Sequence, residues 1–146
     1  MIKKKGDLFT AQTYAIGQGV NCKGVMGAGI AAKFRSEFPE NYLKYRQMCS
    51  YNALRPGKAL LVEEKGKLIV NMASQDFPGA DATYDRVAKS AAFSAGALMR
   101  LGVDTLAIPM IGCGIGGLKW EPVEEILKTV EETLPGFQFE VWRYDA

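Results

Sequence analysis

The sequence predicts an α/β fold, in which helices pack on a largely parallel or mixed β-sheet. Strand-like apolar runs and amphipathic helical segments alternate through most of the 146 residues, which is the pattern typical of such folds. Nine of the sixteen glycines lie within residues 17–29 and 112–117, and each stretch joins a strand to a helix. At this length one domain is the usual expectation, so residues 1–146 are predicted to form a single domain.

The first half of the chain is predicted to contain two strands followed by two helices. A short, edge-like strand at 2–5 precedes one at 14–20, in which Gly17 and Gly19 indicate a close approach to the backbone. Apolar residues three and four apart predict a helix at 30–38. Pro39 separates it from another helix at 40–51.

The second half continues the alternation. Residues 59–63 and 67–72 predict a hairpin-like strand pair, and a loop at 73–82 leads to a long helix at 84–101 whose buried face should include Leu101. The apolar run 105–111 predicts a fully buried strand. A last helix with Pro122 in its first turn and a strand at 137–144 follow.

Composition excludes several functional classes. A net charge of +2 argues against a dedicated nucleic-acid surface, and the absence of histidine excludes histidine bases and histidine-bound metals. Three cysteines without a CxxC pair predict neither a disulfide framework nor a zinc site. We therefore expect no metal and no cofactor. With no apolar run of membrane-spanning length and no leader-like segment behind the N-terminal lysines, we expect a cytoplasmic protein without a membrane partner.

The two glycine-rich loops indicate a site for an anion. Glycines leave backbone N–H groups accessible, and ligands of open α/β sheets bind at the carboxyl ends of the strands. The helix after Ala28 has no acid in its first turn, so its N-terminus is free for phosphate. The last helix is predicted to carry Glu121, Glu124 and Glu125 in its first turn, where they would repel a phosphate, so the loop 112–117 should contribute loop amides alone. The alternative for each loop is a tight turn without a ligand.

Two familiar phosphate motifs do not explain these loops. Residues 112–117 match GxGxxG, but a dinucleotide fold needs a later strand ending in an acid and a second half-domain. Only 29 residues follow Gly117. No GxxxxGK[ST] motif occurs, which excludes a P-loop.

Taken together, three segments resemble the macrodomain family, and the resemblance covers essentially the whole chain. They are Lys5-Gly6-Asp7-Leu8-Phe9, Asn21 with GVMGAGIA at 24–31, and PMIGCG at 109–114 leading to Trp120. Within the family, the chain looks most like the branch of terminal ADP-ribose protein glycohydrolase, the DNA-ADP-ribose-removing antitoxins and the ADP-ribose-1''-phosphate phosphatases. The resemblance implies a three-layer α/β/α sandwich with a mixed sheet that binds ADP-ribose, free or attached to another molecule.

The resemblance also implies roles for individual residues. Asp7 would accept the adenine amino hydrogen, or alternatively form a turn beside Gly6. Asn21 would face the distal ribose and assist catalysis, or alternatively form an Asx-turn. Tyr144 would stack on the adenine, or alternatively pack in the core. The remaining ligand-binding residues are those of the two loops: Gly27, Ala28, Gly29, Ile30, Gly112, Cys113, Gly114, Ile115 and Gly116.

Two positions depart from the family pattern. Glycohydrolases of this branch use a lysine where this chain has Gln75, and some use an acid where it has Gly116. An amide is neither a nucleophile nor a base, so lysine-dependent glycohydrolase activity is not expected. The sequence leaves three functions open: hydrolysis of a small derivative such as ADP-ribose 1''-phosphate, non-catalytic reading of ADP-ribose, and generic mononucleotide binding.

Overall fold

The computed structural model describes residues 1–144, which form one six-stranded mixed sheet with helices on both faces. The strands are β1 (Ile2–Lys5), β2 (Ala15–Gly19), β3 (Ala59–Glu64), β4 (Lys67–Met72), β5 (Thr105–Ile108) and β6 (Gln138–Arg143). Their order across the sheet is β1-β6-β5-β2-β4-β3. Every neighbouring pair is parallel except β3 and β4, which form the expected antiparallel hairpin.

Four helices cover the sheet. They are α1 (Gly29–Glu37), α2 (Pro39–Ser50), α3 (Tyr84–Arg100) and α4 (Trp120–Thr133). Alternate strand residues face opposite sides of a sheet, and β5 shows this directly. Leu106 and Ile108 pack in the core with α3 and α4, whereas Ala107 packs with Phe34 of α1. The predicted three-layer α/β/α sandwich is therefore confirmed.

Two element predictions are wrong in detail. The strand predicted at 105–111 ends at Ile108, since Pro109 has no N–H to continue the ladder. Leu101 is 63% exposed rather than buried, because α3 ends at Arg100 and Leu101 belongs to the turn that follows.

The close approach predicted at Gly17 and Gly19 is made by the protein itself. A Cβ atom on Gly17 would lie 2.9 Å from the Val70 carbonyl oxygen, and one on Gly19 would lie 2.6 Å from Ser74 Oγ. These glycines therefore allow β2 to pack tightly beside β4 and the loop that follows it.

The parallel strands place five chain segments at one edge of the sheet. Because β1, β6, β5, β2 and β4 run in the same direction, their carboxyl ends meet there. In sheet order, the segments that follow are Asp7, Tyr144, the loop 109–119, the loop 20–28 and the loop 73–82. Among residues 1–144, none of the helices combines the length and apolar character that a bilayer crossing requires.

Candidate functional site

The loop 20–28 after β2 is held in shape by Asn21. The side-chain oxygen of Asn21 accepts hydrogen bonds from the backbone N–H of Lys23 at 3.0 Å and of Val25 at 3.4 Å. It also accepts one from the Tyr45 hydroxyl at 2.8 Å, and its side-chain nitrogen donates to the Val25 carbonyl at 2.8 Å. The Asx-turn alternative is thus present, and Asn21 is 8% exposed. One N–H of this side-chain amide is left for a ligand.

The start of α1 is open for an anion. Ala28 precedes the helix without a side-chain cap, and the first turn contains no acid. The N–H groups of the first turn have no partner within a helix, and the helix dipole places positive potential there. A Cβ atom on Gly27 would meet only Val25 Cγ1, at 3.8 Å. The sequence-based prediction of a free helix N-terminus is therefore met by geometry.

The loop 109–119 after β5 presents consecutive backbone amides. Its internal hydrogen bonds run from the N–H groups of Cys113, Gly117 and Leu118 to the carbonyls of Met110, Gly114 and Gly112, respectively. Within residues 1–144, no hydrogen bond uses the N–H groups of Gly114, Ile115 or Gly116. A Cβ atom on Gly114 would have no heavy atom within 4 Å. The tip of this loop is therefore both unobstructed and rich in donors.

Gly112 and Gly116 have a different role, because they are needed for the shape of the loop. Gly112 has a φ of +76°, a conformation that favours glycine. A Cβ atom on Gly116 would lie 2.7 Å from the Gly112 carbonyl oxygen and 2.9 Å from Ala82 Cβ. The side chain of an acid at this position would therefore have no room unless the loop shifts.

The two glycine loops face each other. A Cβ atom on Gly29 at the start of α1 would lie 3.8 Å from Ile115 Cδ1. Ile115 itself is 58% exposed, so this apolar side chain reaches from one loop toward the other. The strand-end face on which these two loops meet is called the cleft below, and backbone donors lie on both of its sides.

The helix that follows the second loop starts differently from the sequence-based prediction. Because α4 begins at Trp120, its first turn holds Glu121 alone. Glu124 lies in the next turn, where it pairs with Lys3 at 2.7 Å. Trp120 packs against the core beneath the loop. Cys113 is half-buried with its thiol 3.4 Å from the Ile111 carbonyl, and burial raises the pKa of that thiol.

Asp7 and Tyr144 mark the β1/β6 end of the cleft. Asp7 caps a short 3-10 turn by accepting the Phe9 N–H at 2.9 Å, and its other oxygen lies 2.8 Å from Lys33 Nζ. The hydrogen bond from Lys33, followed by that from Phe9, lowers the pKa of Asp7. The turn-forming alternative is present, yet a half-exposed carboxylate can accept further donors. Tyr144 is 72% exposed, which contradicts its core-packing alternative.

The loop 73–82 closes the β4 end of the cleft and is hydrogen-bonded internally. Gln75 donates to the Phe77 and Gly79 carbonyls at 2.6 and 2.9 Å. Asp81 accepts from the N–H groups of Asp76 and Phe77 and pairs with Arg86 at 3.2 Å. Gln75 therefore stabilises the loop, and these two carbonyls use its side-chain amide nitrogen. Asp81 Oδ2 therefore accepts three hydrogen bonds and helps to hold the loop.

One charged pair at this end escapes sequence-based reasoning. Lys23 Nζ lies 3.3 Å from Asp76 Oδ1 and 4.4 Å from the centre of the Phe77 ring. The two loops that carry these residues also join through the Cys22 N–H and the Asp76 carbonyl, at 2.9 Å. Lys23 and Asp76 lie more than fifty residues apart, and no motif in this sequence connects them, so the sequence contains no signal for the pair.

Comparison with known proteins identifies the family. The model of the Macro domain matches residues 18–127. The chain belongs to the macro domain family. It is 32% identical over 134 residues to a DNA ADP-ribosyl glycohydrolase of Mycobacterium tuberculosis, covering 89% of this chain and 38% of that protein. It is 29% identical over 142 residues to an ADP-ribose 1''-phosphate phosphatase of Candida albicans, covering 85% and 89%.

The structural comparison agrees with this assignment. The macrodomain of Mycobacterium tuberculosis DarG superposes with a TM-score of 0.89 at 29% identity, covering 97% of each chain. This macro domain spans less than half the length of the DNA ADP-ribosyl glycohydrolases it matches, 38% of one and 40% of another.

Proposed function

We propose that this macro domain binds ADP-ribose in the cleft and hydrolyses a small ADP-ribose derivative, with ADP-ribose 1''-phosphate as the substrate. The observation that carries the proposal is the pair of facing loops with free backbone donors at Gly27–Gly29 and Gly114–Gly116. Two walls of amides suit a diphosphate better than a single phosphate. The names of the relatives, which include a 1''-phosphate phosphatase, support the same substrate class.

The order of the strand ends supports an orientation for the ligand. Adenine would lie at the β1/β6 end near Asp7 and Tyr144, and the diphosphate between the loops after β5 and β2. The distal ribose would then lie toward the loop after β4. From β6 to β4 there are three strand spacings of about 4.8 Å each, or about 14 Å in all, a span that a dinucleotide-like molecule can bridge.

The proposed reaction is attack of water on the phosphorus of the 1''-phosphate. A P–O bond forms to the water oxygen, the bond from phosphorus to the 1''-oxygen breaks, and one proton of the water ends on the 1''-oxygen, so that ADP-ribose and inorganic phosphate leave. Loop amides and the remaining Asn21 N–H would stabilise the charge that develops. Removal of one such preorganised donor typically costs about 10²–10³ in rate. We also propose that residues 1–146 form one domain and that the protein is cytoplasmic.

A specific observation favours a second candidate, a reader that binds ADP-ribose without chemistry. Gln75 is committed to two loop carbonyls, Gly116 leaves no room for an acid, and Asn21 holds its own loop. None of these residues offers an unpaired nucleophile or base. For the same reason we propose that the chain does not cleave glutamate-linked or DNA-linked ADP-ribose by lysine chemistry.

Two measurements decide among the candidates. Calorimetry should show that ADP-ribose binds clearly more tightly than AMP, and equal affinities would refute a diphosphate site and leave generic mononucleotide binding. Release of inorganic phosphate from ADP-ribose 1''-phosphate should then exceed the rate without protein. Tight ADP-ribose binding without phosphate release would establish the reader instead. Robust release of ADP-ribose from a glutamate-linked or DNA-linked conjugate would contradict the proposal that Gln75 replaces the catalytic lysine.

A further inference from the structure

The end of the cleft at β4 is where a group attached beyond the distal ribose would lie. The loop 73–82 touches both glycine loops there. Asp76 bonds to the Cys22 N–H of the first loop, and Cβ atoms on Gly116 and Gly117 would contact Ala82 and Ala80, at 2.9 and 3.3 Å. This placement rests on the proposed function, since it uses the ligand orientation given above.

Lys23 is the cation that projects from the first loop toward this end. Its backbone is fixed by the 3.0 Å hydrogen bond to Asn21 Oδ1, the residue expected beside the distal ribose. Its side chain is 41% exposed and extends to Asp76 Oδ1 and the ring of Phe77. Phe77 is itself 55% exposed. The ammonium group is therefore accessible, and it is held in place by an aromatic face and a carboxylate.

We propose that Lys23 recognises a phosphate monoester carried on the distal ribose, and that Asp76 competes with this phosphate for the ammonium group. A phosphate monoester carries about 1.5 to 2 negative charges near neutral pH and offers three strong acceptor oxygens. The Asp76 carboxylate carries a single charge and contacts the ammonium at 3.3 Å. An ammonium group has three N–H donors, so Lys23 can donate to several phosphate oxygens in place of Asp76.

Two other cations at this edge of the sheet are paired with carboxylates away from Lys23. Arg86 donates to the carbonyl and the carboxylate of Asp81. Lys33 is paired with Asp7 at the opposite, adenine-side end. Lys23 thus distinguishes ligands that carry a distal phosphate from ADP-ribose itself, whereas the glycine loops bind the part that both ligands share.

The test compares two ligands on three variants by calorimetry. The ligands are ADP-ribose and its 1''-phosphonate, in which a P–C bond resists hydrolysis. The variants are Lys23→Met, which keeps an apolar stem to pack on Phe77; Asp76→Asn, which removes the competing charge; and Lys44→Met as a control on the exposed side of α2. Thermal denaturation of each variant monitors the fold.

The expected pattern separates recognition from a structural role. Lys23→Met should weaken phosphonate binding about 10- to 150-fold, the range for a hydrogen bond that involves a charged group, and change ADP-ribose affinity less than about twofold. Asp76→Asn should strengthen phosphonate binding alone, and Lys44→Met should affect neither ligand.

Several outcomes would overturn the inference while the proposed ADP-ribose site stands. They are equal wild-type affinity for the two ligands, an equal loss for both ligands in Lys23→Met, or weaker phosphonate binding in Asp76→Asn. A wild type that binds neither ligand would refute the proposed function itself, and the inference with it.

Discussion

Gly114 and Gly116 lie two residues apart in one loop, yet substitutions at them should fail in opposite ways. A valine at Gly114 meets no heavy atom within 4 Å of its Cβ atom, and the φ of Gly114 lies outside the left-handed region. Stability should therefore stay within about 0.5 kcal/mol of wild type. The same side chain would occupy the place of the diphosphate. Loss of a single hydrogen bond to a charged group, about 1.5–3 kcal/mol, lowers affinity about 10- to 150-fold.

Alanine at Gly116 should instead damage the fold. Its Cβ atom would lie 2.7 Å from the Gly112 carbonyl oxygen and 2.9 Å from Ala82 Cβ, so the loop must shift. Overpacking of this kind costs about 1–3 kcal/mol, and each kcal/mol lowers the melting temperature of a chain this size by about 2–4 °C.

The test measures the stability of both variants by thermal denaturation and their affinity for ADP-ribose by calorimetry. Gly96→Ala is the control, because its Cβ atom would meet nothing within 4 Å in the interior of α3. It should raise stability by about 0.5–1 kcal/mol and leave affinity unchanged. A stable Gly114→Val variant that binds ADP-ribose as tightly as wild type would refute the use of these amides. Undiminished stability in Gly116→Ala would refute the steric argument.

Two more predictions concern a thiol and a carboxylate. At pH 8 a colorimetric thiol reagent should reach half-buried Cys113 before Cys22, because Cys22 is buried and its burial raises the pKa of its thiol to about 12. Bound ADP-ribose should slow the Cys113 reaction, and an unchanged rate would place the ligand elsewhere. Asp7→Asn should lower stability at pH 7 by less than about 1 kcal/mol. The folded-state pKa of Asp7 is depressed by Lys33, so this difference is present above the ordinary aspartate pKa of about 3.9 and should be lost as the pH falls through the lower folded-state pKa; a difference that stays constant with pH would contradict the pairing.

The architecture could be predicted because its signals are local. The hairpin of β3 and β4, the helix boundary at Pro39 and the glycine-rich strand ends all depend on neighbouring residues. Errors arose where one residue decides an end. Pro39 marks a helix boundary in the sequence, whereas Pro109 lies inside an apolar run that predicts a longer strand, although it stops β5.

The site could be predicted only in part, because side-chain commitments are long-range. The glycine pattern indicates accessible amides, but it does not distinguish Gly114, which faces open space, from Gly116, which packs on Ala82. Nor does it show that Gln75 bonds to its own loop. The contact of Lys23 with Asp76 depends on how two loops meet, and no spacing in the sequence encodes it.

In the proposed function, affinity for ADP-ribose and discrimination between its derivatives depend on different groups of the cleft. Backbone amides line its centre, and in the proposed function they would bind any diphosphate with little regard to what is attached at either end. Charged side chains lie at the two ends instead. Asp7 follows β1, and at the other end Lys23 pairs with Asp76 of the loop after β4. These ends are separated by about 14 Å or more, a few strand spacings. The choice of ligand should therefore change by substitution at either end, while the binding shared by all ADP-ribose derivatives depends on the glycine loops.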